Sequence, residues 1–288
     1  MNELLQEIRK LCFRYGIHPI RRRGQNFLVN EEILEKILEI AEIKKDDIIL
    51  EAGGGLGTLT KKLSEKAKKV LVVEIDPKLV KILKENLKNF LNVEIIFGDI
   101  LKIKSRKLEG KNFKIVANLP YQITGRFLKK FLTESPKPSL MVLMLQKEVA
   151  ERICAMPPRM NRLAVITQYF SLPKIIARVS KSNFWPRPKV DSALIKIQPK
   201  EKFTLLSPQE EKKFLALVKT GFSSPRKQLV GNLTFFFSEL KLKKKEFQEF
   251  LMSLGFDPRI RAENLGLEDW FKILKFFNEK KSISYPSN

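Results

Sequence analysis

From residue 48 onward, two spacings of apolar residues alternate along the chain. Short unbroken runs (Ile48–Leu50, Val70–Val73, Val93–Phe97, Ile115–Ala117, Leu140–Leu145) are separated by segments whose apolar residues recur at helical intervals, opening at Thr58, Pro77, Thr124 and Lys147. Runs without polar alternation predict strands buried on both faces. Such strands interleaved with amphipathic helices predict a parallel sheet covered on each side. Ahead of this pattern, a helix is expected to about Tyr15 and another over Glu31–Ala41, where Ile33, Leu34, Ile37, Leu38 and Ile40 fall at helical spacing. Behind it, a helix around Arg162–Phe170 precedes two late strands, Ile175–Val179 and Ala193–Ile197, joined by a proline-rich loop.

Beyond Ile197 the periodicity changes. No strand-like run follows, and Phe214, Leu217 and Val218 make one helical apolar face while Phe247, Phe250 and Leu251 make another. Ser207-Pro208 reads as a helix start with proline at the first helical position. The expected organisation is a large α/β domain over residues 1–198, a linker over 199–208 and a small all-helical domain over 209–288. The tail from Lys280 is expected to be disordered.

Charge narrows the class of partner. A formal net charge of +23 over 288 residues far exceeds what solubility needs and draws in a polyanion. No apolar run approaches eighteen residues, so a membrane span is not expected, and the opening MNELLQEIRK has no signal-peptide core. Cys12 and Cys154 are isolated from one another, which fits a reducing, cytoplasmic setting. With His18 as the one histidine, a zinc site or a histidine-based triad lacks raw material, and no metal is expected.

Two stretches carry the candidate chemistry. Glu51-Ala52-Gly53-Gly54-Gly55-Leu56-Gly57-Thr58 follows the first apolar run and opens a helix. Its G-x-G-x-G spacing fails the dinucleotide fingerprint, so a ligand without a pyrophosphate, such as S-adenosylmethionine, fits better than NAD. Glu74, ending the next strand, is placed to accept ribose hydroxyls, and Asp99, ending the third, could accept from an adenine amino group. Either carboxylate alone would read as a helix cap or a solvated strand end. Three successive strand ends carrying glycines, Glu and Asp point to the edge where open α/β sheets bind ligands.

The second stretch is Asn118-Leu119-Pro120-Tyr121. Proline cannot continue a central strand, so the strand stops at Asn118 and leaves a carboxamide, backbone carbonyls and an aromatic plane at its end. Amide and carbonyl oxygens accept from an exocyclic amino group, and Tyr121 offers a surface for base stacking.

These motifs, with Gly24-Gln25-Asn26-Phe27-Leu28, Val73-Glu74-Ile75-Asp76, Gly98-Asp99-Ile100-Leu101, Leu145–Arg152, Phe184–Ser192 and Gly221–Leu229, resemble the KsgA-type rRNA adenine N6,N6-dimethyltransferases over nearly the whole chain. The resemblance implies a Rossmann-like class I S-adenosylmethionine-dependent methyltransferase sheet with a small C-terminal all-helical domain. It implies dimethylation of two adjacent adenosines in a hairpin near the 3′ end of small-subunit rRNA, by a monomer acting in ribosome biogenesis. It assigns Gln25, Asn26, Leu28, Gly53, Gly55, Glu74, Ile75, Asp99, Ile100 and Asn118 to the cofactor. Asn118, Leu119, Pro120 and Tyr121 go to the target adenine, with Phe184 on its other face. Basic candidates for RNA are Arg21, Arg22, Arg23, Arg187, Arg226 and Lys227. Two departures stand out: the family usually has proline where Gly54 sits, expected to loosen the turn, and Met156–Leu163 lacks the usual Tyr-Gly. The rival readings are the related large-subunit methyltransferase of macrolide resistance and a non-catalytic RNA-binding assembly or transcription factor.

Overall fold

A computed structural model describes residues 2–20, 24–103, 108, 112–200, 206–239 and 242–284; the side chains of Tyr121, Glu239 and residues 281–284 are not described. The chain divides into two compact units, residues 1–151 with 170–200 and residues 152–169 with 201–288.

The first unit is built on a sheet. Its strands are β1 (Phe27–Leu28), β2 (Ile48–Ala52), β3 (Lys69–Glu74), β4 (Val93–Phe97), β5 (Phe113–Asn118), β6 (Leu140–Gln146), β7 (Ser171–Val179), β8 (Phe184–Trp185) and β9 (Ser192–Pro199). Among the described residues, seven of these form one sheet in the order β4-β3-β2-β5-β6-β9-β7. The first five run parallel, as the apolar runs predict. The sheet is nevertheless mixed, because β9 pairs antiparallel with both β6 and β7. An antiparallel neighbour tolerates a shorter connection and a solvated face, which suits the partly polar β7, with Lys174 and Arg178 along it.

The helices of this unit are α1 (Glu3–Arg14), α2 (Glu31–Ile40), α3 (Thr58–Lys66), α4 (Pro77–Asn86) and α5 (Thr124–Thr133), with α6 (Lys147–Ile153, to Glu151) following β6. Their starts are written in the sequence. Asn30 caps α2 by accepting from the Ile33 amide (3.2 Å), and Asp76 caps α4 by accepting from Lys78 (3.0 Å) with Pro77 at the first helical position. Apolar faces of α1–α4 bury Ile8, Leu34, Leu63 and Leu83 with Ile49, Val70, Val72 and Val116 of the sheet in one core.

Gly54 shows how tightly the glycine loop is packed. A Cβ built there would overlap Val72 Cγ1 and stand 2.9 Å from Leu83 Cδ1. The space that the Cβ of a family proline would occupy is therefore filled by Val72 and Leu83. We expect Gly54→Ala to cost about 1–3 kcal/mol, since β-branched Val72 cannot swing aside cheaply. Combining it with Val72→Ala should recover much of that loss. Denaturant melts of the four proteins in this cycle decide it: strictly additive effects would mean the two positions do not compete for space.

The second unit holds α7 (Arg162–Phe170, to Tyr169), α8 (Pro208–Gly221), α9 (Leu229–Asn232), α10 (Thr234–Glu239), α11 (Lys244–Ser253) and α12 (Leu267–Ser284). Ser207 caps α8 in a reciprocal capping box with Glu210. The core is aromatic: Phe214, Phe247 and Phe277 are fully buried, and Phe250 stacks on Phe276 at 4.3 Å. Tyr169 explains why α7 packs here, since its ring lies 4.8 Å from Phe214 and its hydroxyl donates to Glu211 (3.1 Å). Helix α12 continues to Ser284, past the point where the tail is expected to lose order. Phe236 and Phe237 are buried in the unit while Phe235 is exposed. No helix among the described residues is long and apolar enough to cross a membrane.

Candidate active site

The C-terminal ends of β2, β3, β4 and β5 open onto one cavity of about 480 Å³. Its walls include Gly53 and Gly55 after β2, Glu74, Ile75 and Asp76 at β3, Gly98, Asp99 and Ile100 after β4, and Asn118 with Pro120 at β5. Parallel register brings these ends together: Glu51 pairs with Val72 and Val116, Glu74 with Phe97, and Asn118 with Met144. Gln25, Asn26 and Phe27 cover the cavity from the N-terminal segment.

Glu74 organises the glycine loop. Its Oε1 accepts from the amides of Ile75 (2.8 Å) and Asp76 (2.9 Å), and its Oε2 accepts from Gly55 (3.0 Å). A carboxylate has about four acceptor positions, so Oε2 keeps one for a ligand hydroxyl. Burial nevertheless raises the carboxyl above the usual range, with these backbone bonds opposing it. Gly53 and Gly55 adopt φ of 83° and 58°, the left-handed region that admits glycine without strain. A Cβ on Gly55 would sit in ordinary contact with the Phe27 ring, at 3.4 Å, so it is the positive φ and not crowding that calls for glycine there.

Asp99 accepts from the Leu101 amide through Oδ1 (2.9 Å), capping a 3-10 turn over Ile100–Lys102 and leaving Oδ2 unbonded among the described residues. Gln25 links the covering segment to the sheet edge: its Oε1 accepts from Ile20 (2.7 Å) and its Nε2 donates to Asp76 (3.2 Å). Asn118, at the end of β5, donates from Nδ2 to the Asn26 carbonyl (3.3 Å). That bond distinguishes the two ends of the amide and leaves Oδ1 as its acceptor. Leu119 then gives the last ladder bond to the Met144 carbonyl (3.2 Å), and Pro120, with no N–H, ends the strand.

A sequence model of the ribosomal RNA adenine dimethylases matches residues 19–279 of this chain. It belongs to that family. The ribosomal RNA small subunit methyltransferase A of Clostridium botulinum is 41% identical over 273 residues, covering 92% of this chain and 96% of its own. The protein of that name from Dehalococcoides mccartyi is 36% identical over 272 residues, covering 94% and 92%. Among solved structures, a dimethyladenosine transferase from Plasmodium falciparum superposes with a TM-score of 0.73 at 31% identity, over 88% of this chain and 98% of its own. The 23S rRNA methyltransferase ErmE superposes equally well, with a TM-score of 0.73 at 27% identity, over 88% and 100%. The fold is thus the Rossmann-like class I methyltransferase fold, and S-adenosylmethionine is the methyl donor of the family.

The dimethylase cavity fits that donor: glycines open the backbone, one acceptor position remains on Glu74 Oε2, and Asp99 Oδ2 is unbonded. Not every residue singled out in the sequence lines it. Leu28 is buried and lines an adjoining cavity of about 60 Å³, together with Glu51, Gly53 and Asn118. Leu119 is buried outside the main cavity. Phe184 is 4% exposed and paired with Leu28 in the β1–β8 ribbon, so its ring does not form cavity wall. Arg187 is exposed on the first unit, and Arg226 and Lys227 are exposed on the second. Arg21, Arg22 and Arg23 lie outside the described residues, as does the Tyr121 side chain.

Two residues of these cavities, Glu51 in the adjoining one and Arg126 in the main one, were given no role from the sequence. Glu51 is 1% exposed, and its Oε2 has no hydrogen-bond partner among the described residues. Burial pushes its carboxyl up to about 8; the Glu74 carboxylate adds to the rise and the Thr60 hydroxyl opposes it. Its position, two residues before the first loop glycine, was the available signal. Arg126, in the first turn of α5, is the other.

Proposed function

We propose that this chain transfers methyl groups from S-adenosylmethionine to N6 of two adjacent adenosines in a hairpin near the 3′ end of small-subunit rRNA, a step in ribosome biogenesis. The observation that carries this reading is the convergence of four neighbouring strand ends on one cavity. Along the order β4-β3-β2-β5, Asp99 takes the cofactor's adenine, Glu74 its ribose, the Gly53–Gly55 loop its methionine end, and Asn118 the acceptor amine. Gln25, Asn26, Ile75 and Ile100 complete the cofactor's surroundings, with Leu28 behind them in the adjoining cavity. The relatives named for the small subunit, at 36–41% identity over nearly the whole chain, favour that target over the large subunit.

Bound there, the cofactor supplies an electrophilic sulfonium methyl. The protein's task is to make a poor nucleophile reactive. The adenine N6 lone pair is delocalised into the ring. Asn118 Oδ1 accepts one N–H bond, and the Leu119 carbonyl, outside the main cavity until a base enters beside it, accepts the other; together they favour a pyramidal nitrogen and stabilise the positive charge that grows there. Pro120, bonded directly to the Leu119 carbonyl carbon, fixes the backbone after it. No strong base is needed, because the alkylated nitrogen is acidic enough to release its proton to water. Tyr121 supports the base by stacking, worth roughly 1–3 kcal/mol. Phe184 joins it only if its ring leaves the buried core position it holds. A base in this site has left its helix or comes from a loop.

We assign the helical unit, with Arg226 and Lys227, and the segment Arg21–Arg23 and Arg187 to the RNA backbone, which duplex RNA offers in place of readable base edges. RNA affinity is then expected to drop about a thousandfold between 50 and 200 mM salt. A flat profile in filter binding would detach the +23 charge from RNA recognition. Incubating the pure protein with labelled cofactor and immature small subunits tests the function itself. Label in N6,N6-dimethyladenosine of the small-subunit rRNA supports it, and RNA binding without label transfer leaves the non-catalytic reading.

A further inference from the structure

Arg126 forms part of the cavity wall from the first turn of α5. It is exposed, and its guanidinium has no hydrogen bond or ion pair among the described residues. Three carboxylates line the same cavity, yet none neutralises it. Glu74 is occupied by three backbone amides, Asp76 caps α4 and accepts from Gln25, and Asp99, which caps the turn at Leu101 through Oδ1, makes no ion pair with Arg126 and keeps Oδ2 for the cofactor's adenine.

An unpaired guanidinium at a concave site is suited to an oxyanion, which its planar fork can grip with two parallel bonds. The cofactor has one anionic group, the carboxylate of its methionine end, which the reading above places at the Gly53–Gly55 loop. Helix α5 instead packs against the Ile100–Lys102 turn, beside Asp99 at the adenine end. There the cofactor offers nothing negative. The anion facing Arg126 must come from the second substrate, and RNA carries one phosphodiester per nucleotide.

We propose that Arg126 grips a backbone phosphate of the RNA strand bearing the target adenosine, at the mouth of the methyl-transfer cavity, and so sets how far the base enters. This rests on the assignment of Asp99 to the cofactor's adenine. Phosphate contacts of this kind fix register rather than sequence. Arg126 is thus a substrate-binding residue beside the reacting base, separate from the basic segments expected to hold the flanking RNA.

The test is equilibrium binding of a fluorescently labelled RNA hairpin, with two adjacent loop adenosines, to the full chain over 50–300 mM KCl. Arg126→Gln is expected to weaken binding about three- to tenfold at the lowest salt and to reduce the slope of log affinity against log salt by about 0.7–0.9, the value of one phosphate contact. Arg126→Lys should restore the slope, and the melting temperature should not move. Calorimetric titration with S-adenosylmethionine should give the same affinity for the Gln variant and the parent within about twofold. Unchanged RNA affinity and slope in Arg126→Gln would overturn the proposal, and so would a tenfold loss of cofactor affinity with the RNA slope intact. Asp99→Asn separates the underlying assignment: if it binds cofactor like the parent, the adenine placement fails, whatever the slope of Arg126→Gln shows.

Discussion

Asn118→Ala is expected to lower the rate of methyl transfer by roughly 10²–10³-fold, with RNA affinity changed by less than about twofold. The reason lies in where the amide acts. Its Nδ2 is engaged by the Asn26 carbonyl, so the group is oriented before any substrate arrives, with Oδ1 as the acceptor. An oriented acceptor gains most when positive charge grows on the amine, which happens in the transition state and not on binding. Alanine removes that oxygen and leaves the phosphate contacts in place. Asn118→Asp is a sharper probe. It keeps acceptor oxygens but loses the donor to Asn26, setting a carboxylate against a carbonyl, and should also be slow. Single-turnover transfer of labelled methyl, alongside filter binding of the same RNA, separates the two effects. A near-parental rate for Asn118→Ala would end the claim that the amide activates the base.

The second large effect is a pH dependence of stability centred on Glu51. Its carboxyl titrates at about 8 in the folded chain, against about 4.3 in an unfolded one. The folded state therefore holds one more proton between those values, and stability falls as pH rises through that window. Above it, the protein must either ionise a buried carboxyl beside Glu74 or hold the proton against the solvent. Glu51→Gln keeps the shape and removes the titration. The variant and parent are expected to melt together at pH 4, below the unfolded value, while at pH 9 the variant should be the more stable by an amount on the order of a few kcal/mol. Melting temperatures at the two pH values read this directly. Parallel melts at both, or a parent more stable at pH 9, would show that Glu51 finds a charge-stabilising partner.

The parts of the site that a reader of the chain could anticipate are those specified by neighbours in sequence. Unbroken apolar runs, a glycine cluster after one of them and a proline after Asn118 announce strands, a ligand-facing loop and a strand end by local sterics alone. The two late strands were visible too, but their direction was not, since an apolar run looks the same read either way. The β1–β8 ribbon, two residues on each side, escaped because Phe27–Leu28 and Phe184–Trp185 are each too short to show a period. The same pairing removes Phe184 from the cavity wall, which no local pattern could announce. Arg126 sits in an ordinary helical stretch, and its significance comes from what surrounds it.

Gly54 and Glu51 mark the division most clearly. Backbone freedom at the glycine loop, the acidic strand ends, the basic charge and the family itself follow from residue types and their order, because each is a property of a residue or of its near neighbours. Whether Gly54 leaves slack depends on Val72 and Leu83, and whether Glu51 holds its proton depends on burial beside Glu74. Both are consequences of packing between distant segments, where excluded volume and the loss of water are set by what arrives from elsewhere in the chain. The orientation of Asn118 belongs with them, since the carbonyl that orders its amide comes from Asn26, ninety-two residues earlier.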